Sequence, residues 1–157
     1  MIWAMMQHLG YNMWHDEAIW RGPGRMKWSN FCTDHLLCTD ASWNLRMKRL
    51  LEPGSGTNTL VIDVGEGVVY PSHPEIAVKG SWSAERLNKE VKRLKAGGLT
   101  VVPKLNFSTC HDFWLGDYAR MISSPTYYKV VKDLIDDTCE IFDNPPYFHI
   151  GMDEEGY

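Results

Sequence analysis

Four short apolar runs divide the chain, each of a length suited to one buried strand. They cover residues 2–9, 60–64, 99–105 and 147–151. Such runs, bounded by turn residues and rich in β-branched and aromatic side chains, are typical of strands in a parallel sheet. The pattern therefore predicts four strands.

Apolar residues at helical spacing predict three helices between these runs. Their apolar positions are, in turn, Trp43, Met47, Leu50 and Leu51; Leu87, Val91 and Leu94; and Tyr127, Val131, Leu134, Ile135 and Thr138. Ser83 and Ser124 are predicted N-caps, and Pro125 suits the first position of the third helix. Pro53-Gly54 and Gly97-Gly98 are expected to end the first two helices.

The resulting order, β-α-β-α-β-α-β, implies a parallel α/β sheet. The long loops, at about 11–39, 65–81 and 106–124, all follow strands, as in TIM (β/α)8 barrels, whose sites lie at the C-terminal ends of the strands. A doubly wound sheet is the alternative, weakened because no Gly-rich turn follows the first strand. A barrel takes about 250 residues. We therefore expect residues 1–157 to be a fragment, the N-terminal half with the first four β/α units, or a half-barrel that pairs with a second half.

Composition narrows the possible partners. The net charge of −4 and the lack of a Lys/Arg run argue against nucleic acid, and no apolar stretch reaches membrane-spanning length. The first residues lack the basic region and cleavage site of a signal peptide, so the compartment stays open, extracellular or periplasmic if a leader is missing. Cys32, His35 and Cys38 are closely spaced without a second ligand pair, which favours packing or a local disulfide over a metal. No cofactor is expected.

Polar side chains follow each predicted strand. They are Asn12, His15 and Asp16 after the first; Asp63 and Glu66 at or beyond the end of the second; Lys104, Asn106, His111, Asp112 and Trp114 at or beyond the end of the third; and His149, Asp153, Glu154 and Glu155 in or beyond the fourth. Since closure of a barrel gathers these positions at one end, the pattern predicts a polar cleft there.

The fourth run carries the clearest chemistry. Alternation places His149, Gly151 and Asp153 on one face of the strand, with Glu154 at its rim. A glycosidase needs a carboxylic acid whose pKa is raised by burial or by a neighbouring carboxylate, and adjacent Asp and Glu provide that coupling. The alternative is an acidic cluster at the start of a helix, favoured by the helix dipole.

The segment His149-Ile-Gly151-Met-Asp153-Glu154 resembles the His-x-Gly-x-Asp-Glu motif of family 20 β-N-acetylhexosaminidases, which also ends the fourth barrel strand. The third run resembles that family's Pro-Glu-Ile-Asp strand and the Pro-Gly-His that follows it. Pro103 and His111 match, whereas Lys104 and Asn106 replace acidic residues. The resemblance covers roughly the last 60 residues well and the rest in architecture only.

The resemblance implies a role for each member of the pair. Glu154 would be the general acid/base. Asp153 would orient and stabilise the substrate's 2-acetamido group, which attacks the anomeric carbon in place of a protein nucleophile. A sugar without that group would need a second carboxylate, from a further strand or from Asp63 or Glu66.

The remaining polar positions are candidates for carbohydrate binding, each with a structural alternative. Asp63 binds either the sugar or a neighbouring Lys, and Lys104 either contacts the substrate or forms a buried salt bridge with Asp63 or with the carboxylates of the fourth strand. His111 and His149 hold the catalytic carboxylates or are satisfied interior histidines. Trp114, like Trp14, stacks on a sugar ring or packs on the barrel rim. Glu66 and Asn106 complete the candidates, which are Asp63, Glu66, Lys104, Asn106, His111, Trp114 and His149.

The leading hypothesis is therefore a glycoside hydrolase. A glycosidase with a protein nucleophile outside this chain is one alternative, and a non-catalytic carbohydrate-binding barrel, favoured by Lys104 and Asn106, is another. A metal hydrolase using His15, Asp16, His149 and Asp153 ranks third, since nothing in their spacing demands a metal.

Overall fold

The computed structural model describes residues 1–13, 32–119 and 121–152, in which parallel strands alternate with helices. The strands are β1 (Ala4–His8), β2 (Thr59–Asp63), β3 (Val68–Val69), β4 (Trp82–Ser83) and β5 (Thr100–Lys104). The α-helices are α1 (Asp40–Leu50), α2 (Ala84–Ala96) and α3 (Pro125–Ile141), and 3-10 turns lie at Gly65–Gly67, Pro74–Ile76 and Phe113–Tyr118. The arrangement is mixed α/β.

The main sheet is parallel and has the order β1-β2-β5, while β3 and β4 form a separate two-stranded sheet. If that short pair is set aside, each strand of the main sheet lies beside the one that precedes it in the chain. A fourth extended segment joins β5 through a parallel bridge between His149 and Lys104. The described strands form an open sheet with no reversal of order, and no closed barrel is present in this part of the chain.

The first three predicted strands are confirmed to within two residues at each end. The fourth is shorter than the predicted 147–151. His149 bonds to β5 on both sides, donating its N–H to the Pro103 carbonyl (2.9 Å) and accepting from Leu105 N–H (3.1 Å). Gly151, with φ +60°, then leaves extended geometry, which limits the ladder.

One face of the main sheet packs against the helices. Leu60 and Ile62 of β2 and Val101 of β5 belong to a single buried cluster with residues of all three helices, among them Met47, Leu87, Val91, Leu94 and Leu134. On the opposite face, Met6 is 43% exposed and Val61 is half-buried. Since side chains alternate along a strand, one set fills the core and the other lines the open face.

The predicted helix ends are confirmed at the caps. Ser83 Oγ accepts from Arg86 N–H and Ser124 Oγ from Tyr127 N–H, with Pro125 at the start of α3. After α2, Leu99 N–H reaches the Leu94 carbonyl across Gly98 (φ +93°), which is a Schellman ending.

The buried face of α3 differs from the prediction, since Val130 is buried and Val131 is only half-buried. Leu51, expected on the apolar face of the first helix, is the half-buried C-cap of α1. Cys38 lies in the core, as expected for a packing role.

Candidate functional site

Four polar residues stand in one row across the C-terminal ends of the strands. The register pairs His8 of β1 with Asp63 of β2, Asp63 with Lys104 of β5, and Lys104 with His149. Residues in register on neighbouring parallel strands project from the same face of the sheet. We call His8, Asp63, Lys104 and His149 the polar row.

Asp63 is the centre of this row. Its Oδ2 atom lies 3.1 Å from Lys104 Nζ and 3.3 Å from His8 Nδ1. The side chains of Asp63 and Lys104 are only 3% and 6% exposed, so each ion loses its hydration and depends on the other for compensation. The sequence left a substrate contact and an ion pair open for both residues, and the structure shows Asp63 and Lys104 paired with each other.

His149 lies at the exposed end of the row. Its Nδ1 atom accepts the Gly151 N–H at 3.0 Å, so the neutral ring carries its proton on Nε2. Gly151 is also required sterically, because a Cβ atom there would lie 2.6 Å from Asn106 Cα. The glycine of the His-x-Gly pattern thus allows the fourth segment to cross close over the chain that follows β5.

Glu66 lies beyond the end of β2 and is 3% exposed. Its Oε1 accepts the backbone N–H groups of Tyr11 (2.6 Å) and Asn12 (3.0 Å), while its buried Oε2 has no hydrogen-bond partner in the described part of the chain. Burial raises the pKa of this carboxyl, the backbone donors oppose that rise, and the charge of Asp63 adds to it.

Trp114 packs beneath the site. The indole is 2% exposed, and its Nε1 donates to the Asn106 carbonyl at 2.7 Å. Its ring also contacts Phe107, with the ring centroids 5.8 Å apart. Asn106 Oδ1 accepts from Ser108 N–H at 3.1 Å. In this arrangement little of the Trp114 ring is open for stacking on a sugar, and the indole supports the backbone after β5.

A cavity of about 360 Å³ lies among the loops that follow β1, β2 and β5. Its lining includes Asn12, Glu66, Ile76, Val78, Phe113 and Trp114. Asn12 also forms two hydrogen bonds with Thr33. Its side-chain amide donates to the Thr33 carbonyl and accepts from the Thr33 N–H, both at 2.9 Å. The cavity has the size of a small-ligand site, with apolar and polar walls.

The structure thus brings several predicted residues together. Asp63 contacts Lys104, Asn106 contacts Trp114, and Glu66 shares a cavity wall with Trp114. His111 is buried in the same loop as Trp114. Asp153 and Glu154 lie outside the described residues, as do Trp14, His15 and Asp16, so their predicted roles stay predictions.

Two residues of the site were not predicted. His8 ends β1 in register with Asp63, and the Tyr11 ring packs on it with centroids 5.5 Å apart. A signal for His8 was present in the sequence, because it ends an apolar run just as Asp63 and Lys104 do. No comparable local signal marked Tyr11.

Comparison with models of known protein families finds no match for this chain, and a search of curated proteins finds none either. None of the described helices combines the length and apolarity needed to cross a membrane. Within the described residues, no group of three or more His, Cys, Asp or Glu side chains is placed to hold a metal ion.

Proposed function

We propose that this chain is a glycoside hydrolase of the β-hexosaminidase-like kind, acting on a carbohydrate substrate at the C-terminal ends of its strands. The observation that carries the proposal is the polar row, which ends on His149 in the segment that resembles the family 20 motif. Glu154 is the proposed general acid/base, and Asp153 is the proposed orienting carboxylate. Both follow His149 within five residues.

The proposed fold is a TIM barrel to which residues 1–157 contribute the first four β/α units. The neighbour-to-neighbour order of β1, β2 and β5 supports it, because a barrel adds each strand beside the last. The exposed Met6 on the open face supports it as well. In a barrel that face is interior, covered by the other four strands, whether a C-terminal half or a second half-barrel supplies them.

The contacts and burial of the two carboxylates at and beyond the end of β2, Asp63 and Glu66, favour the acetamido-assisted route. A protein nucleophile must present an unengaged carboxylate oxygen to the anomeric carbon. Asp63 is held in the ion pair with Lys104, and Glu66 is buried with one oxygen bound to two backbone amides. The second oxygen of Glu66 has no hydrogen-bond partner among the described residues, but it is buried against Gly10 rather than open to a substrate. Between these two carboxylates and the 2-acetamido group of the substrate, the proposal therefore takes the acetamido group as the nucleophile.

In this reaction Glu154 gives its proton to the glycosidic oxygen as the bond between that oxygen and the anomeric carbon breaks. The acetamido oxygen, oriented by Asp153, bonds to the same carbon. Water then displaces it, and Glu154 recovers a proton from the water.

Replacement of Glu154 by Gln tests the proposal, with Glu155→Gln as the matched control. The full chain is assayed on a 4-nitrophenyl N-acetyl-β-hexosaminide and on the corresponding disaccharide. Loss of a general acid is expected to lower kcat by about 10²- to 10⁴-fold. The loss should be greater for the disaccharide, because its leaving group needs the proton more. Glu155→Gln should retain activity, and neither change should alter the unfolding temperature appreciably.

Unchanged turnover in the Glu154 variant would contradict the assignment. Sugar binding without turnover of any aryl glycoside would instead favour a non-catalytic carbohydrate-binding barrel. Covalent trapping by a fluorosugar would show a protein nucleophile and exclude the acetamido route.

A further inference from the structure

We infer that Glu66 is a positioning residue, which fixes the backbone beyond β1 and thereby holds Tyr11 and His8 in place at the polar row. The sequence suggested contact with substrate for this carboxylate, whereas its geometry indicates a different task. The inference deepens the proposed function, on which it rests only in treating the polar row as part of a substrate site.

Four consecutive backbone N–H groups beyond β1 donate to Asp63 or to Glu66. The N–H groups of Leu9 and Gly10 both donate to the Asp63 carbonyl, at 2.8 and 3.3 Å, where the pairing with β2 ends. The next two N–H groups, of Tyr11 and Asn12, both donate to Glu66 Oε1. The carboxylate therefore replaces the missing neighbour strand for two residues, and it satisfies donors that are otherwise costly to bury.

The backbone fits closely around the Glu66 carboxyl group. A Cβ atom on Gly10 would lie 2.6 Å from Glu66 Oε2, and one on Gly67 would lie 2.7 Å from Leu9 Cγ. Two glycines thus let the chain after β1 and the turn after β2 close directly around the Glu66 side chain. Such close packing leaves the carboxyl little freedom to turn away from its backbone donors.

The Tyr11 ring links the Glu66 carboxylate to the polar row. Tyr11, whose backbone Glu66 holds, packs its ring on the His8 ring. His8 in turn lies 3.3 Å from Asp63, the partner of Lys104. A displacement of Tyr11 is therefore transmitted to the polar row through the contact between the Tyr11 and His8 rings.

To accept two N–H groups, the side chain needs an acceptor oxygen but does not need a negative charge. Glutamine has the same shape and keeps one such oxygen, so it should perform the same task. Leucine has a similar volume but no acceptor. The pair Glu66→Gln and Glu66→Leu therefore separates positioning, which Gln preserves, from binding or proton transfer, which needs the carboxyl group.

The experiment compares both variants of the full chain with Glu52→Leu, an exposed control. Hydrogen exchange at the Tyr11 and Asn12 amides and the NMR signals of the His8 imidazole are measured, followed by turnover of the aryl hexosaminide. We expect Glu66→Gln to retain amide protection, the His8 signals and turnover. Glu66→Leu should lower protection at both amides by about tenfold or more and shift the His8 signals. Glu52→Leu should change neither.

Tyr11→Leu supplies a second test should Glu66→Leu fail to fold. It removes the ring but keeps the backbone donor, so the His8 signals should shift while the Asn12 amide stays protected. Loss of amide protection in Glu66→Gln, or unchanged His8 signals in Tyr11→Leu, would overturn the inference. Loss of turnover in Glu66→Gln with protection intact would also overturn it, by assigning the carboxyl a chemical role.

A failure of this inference can be told apart from a failure of the proposed function. Amide protection and imidazole signals need no turnover. A chain that hydrolyses no glycoside therefore still tests the positioning role of Glu66, while the proposed function fails on its own.

Discussion

The buried ion pair at the centre of the polar row makes a quantitative prediction about stability. Replacing Lys104 by Met removes the ammonium group and leaves the Asp63 carboxylate, 3% exposed, with His8 as its remaining near partner among the residues that the structure describes. Methionine has a similar length and an apolar surface. The change therefore isolates the loss of charge rather than the loss of volume.

The magnitude follows from two opposing terms. At 3.1 Å and an effective dielectric constant of about 20, the attraction between Asp63 and Lys104 is about 5 kcal/mol. Burial of two ions costs several kcal/mol each, so the pair as a whole adds little to stability. Removal of one partner is different, since the other stays buried, and typically costs about 3–5 kcal/mol. Because His8 offers partial compensation, we expect about 3 kcal/mol for Lys104→Met.

Urea unfolding at pH 7, followed by tryptophan fluorescence, measures this free energy. The expected loss corresponds to a fall in unfolding temperature of about 6–12 °C for a chain of this size. The double variant Asp63→Leu/Lys104→Met should lie within about 1 kcal/mol of the wild type, because no buried charge remains uncompensated. Lys132→Met, which removes an exposed partner of Asp136, should cost less than about 0.5 kcal/mol.

A loss below about 1 kcal/mol in Lys104→Met would contradict this prediction, because it would show that the Asp63 carboxylate reaches water at little cost. A double variant less stable than the single one would contradict it as well. In that case the pair would contribute net stability that apolar packing cannot replace.

Two further predictions concern crowding and pH. Gly10→Ala places a methyl group 2.6 Å from Glu66 Oε2 and 2.7 Å from the Val64 carbonyl, so it should destabilise the chain by about 1–3 kcal/mol in the same urea assay, and an unchanged midpoint would contradict the close fit. The His73 ring, 3.0 Å from Glu75, lowers the pKa of that carboxyl, so the contact should stabilise the fold above the ordinary carboxyl range and be lost as the pH falls through the lowered value. Glu75→Gln should flatten this part of the pH–stability curve, and identical curves for variant and wild type would rule the contact out as a contributor.

The elements of this chain could be predicted from its sequence because their signals are local. Ser83 and Ser124 cap helices through bonds to residues three positions ahead, and Gly98 ends α2 through its own left-handed backbone. The apolar runs at β1, β2 and β5 have the length and composition of buried strands. Such features depend on side chains within one or two turns, so one sequence suffices to find them.

Trp114 and Glu66 show where local information ends. In the sequence Trp114 is an aromatic residue in a long loop, which either stacks on a sugar ring or, as is more common, packs on the barrel rim. In the structure the indole is buried and donates to the carbonyl of Asn106, just beyond the end of β5, and this contact is between residues eight positions apart. The partners of Glu66 are backbone amides that precede it by 54 and 55 residues, and backbone amides leave no trace in a sequence.

The sequence alone therefore determined β1, β2, β5 and the three helices, but not the short strands β3 and β4, and it identified the polar residues at the ends of the main strands. The tertiary structure decided which of those residues meet. Asp63 pairs with Lys104 and His8 because parallel register sets the three at one level, and register is a property of neighbouring strands rather than of any one of them. Once buried at that level, the carboxylate and the ammonium must compensate each other, and this converts two predicted sugar ligands into the ion pair on which the polar row is built.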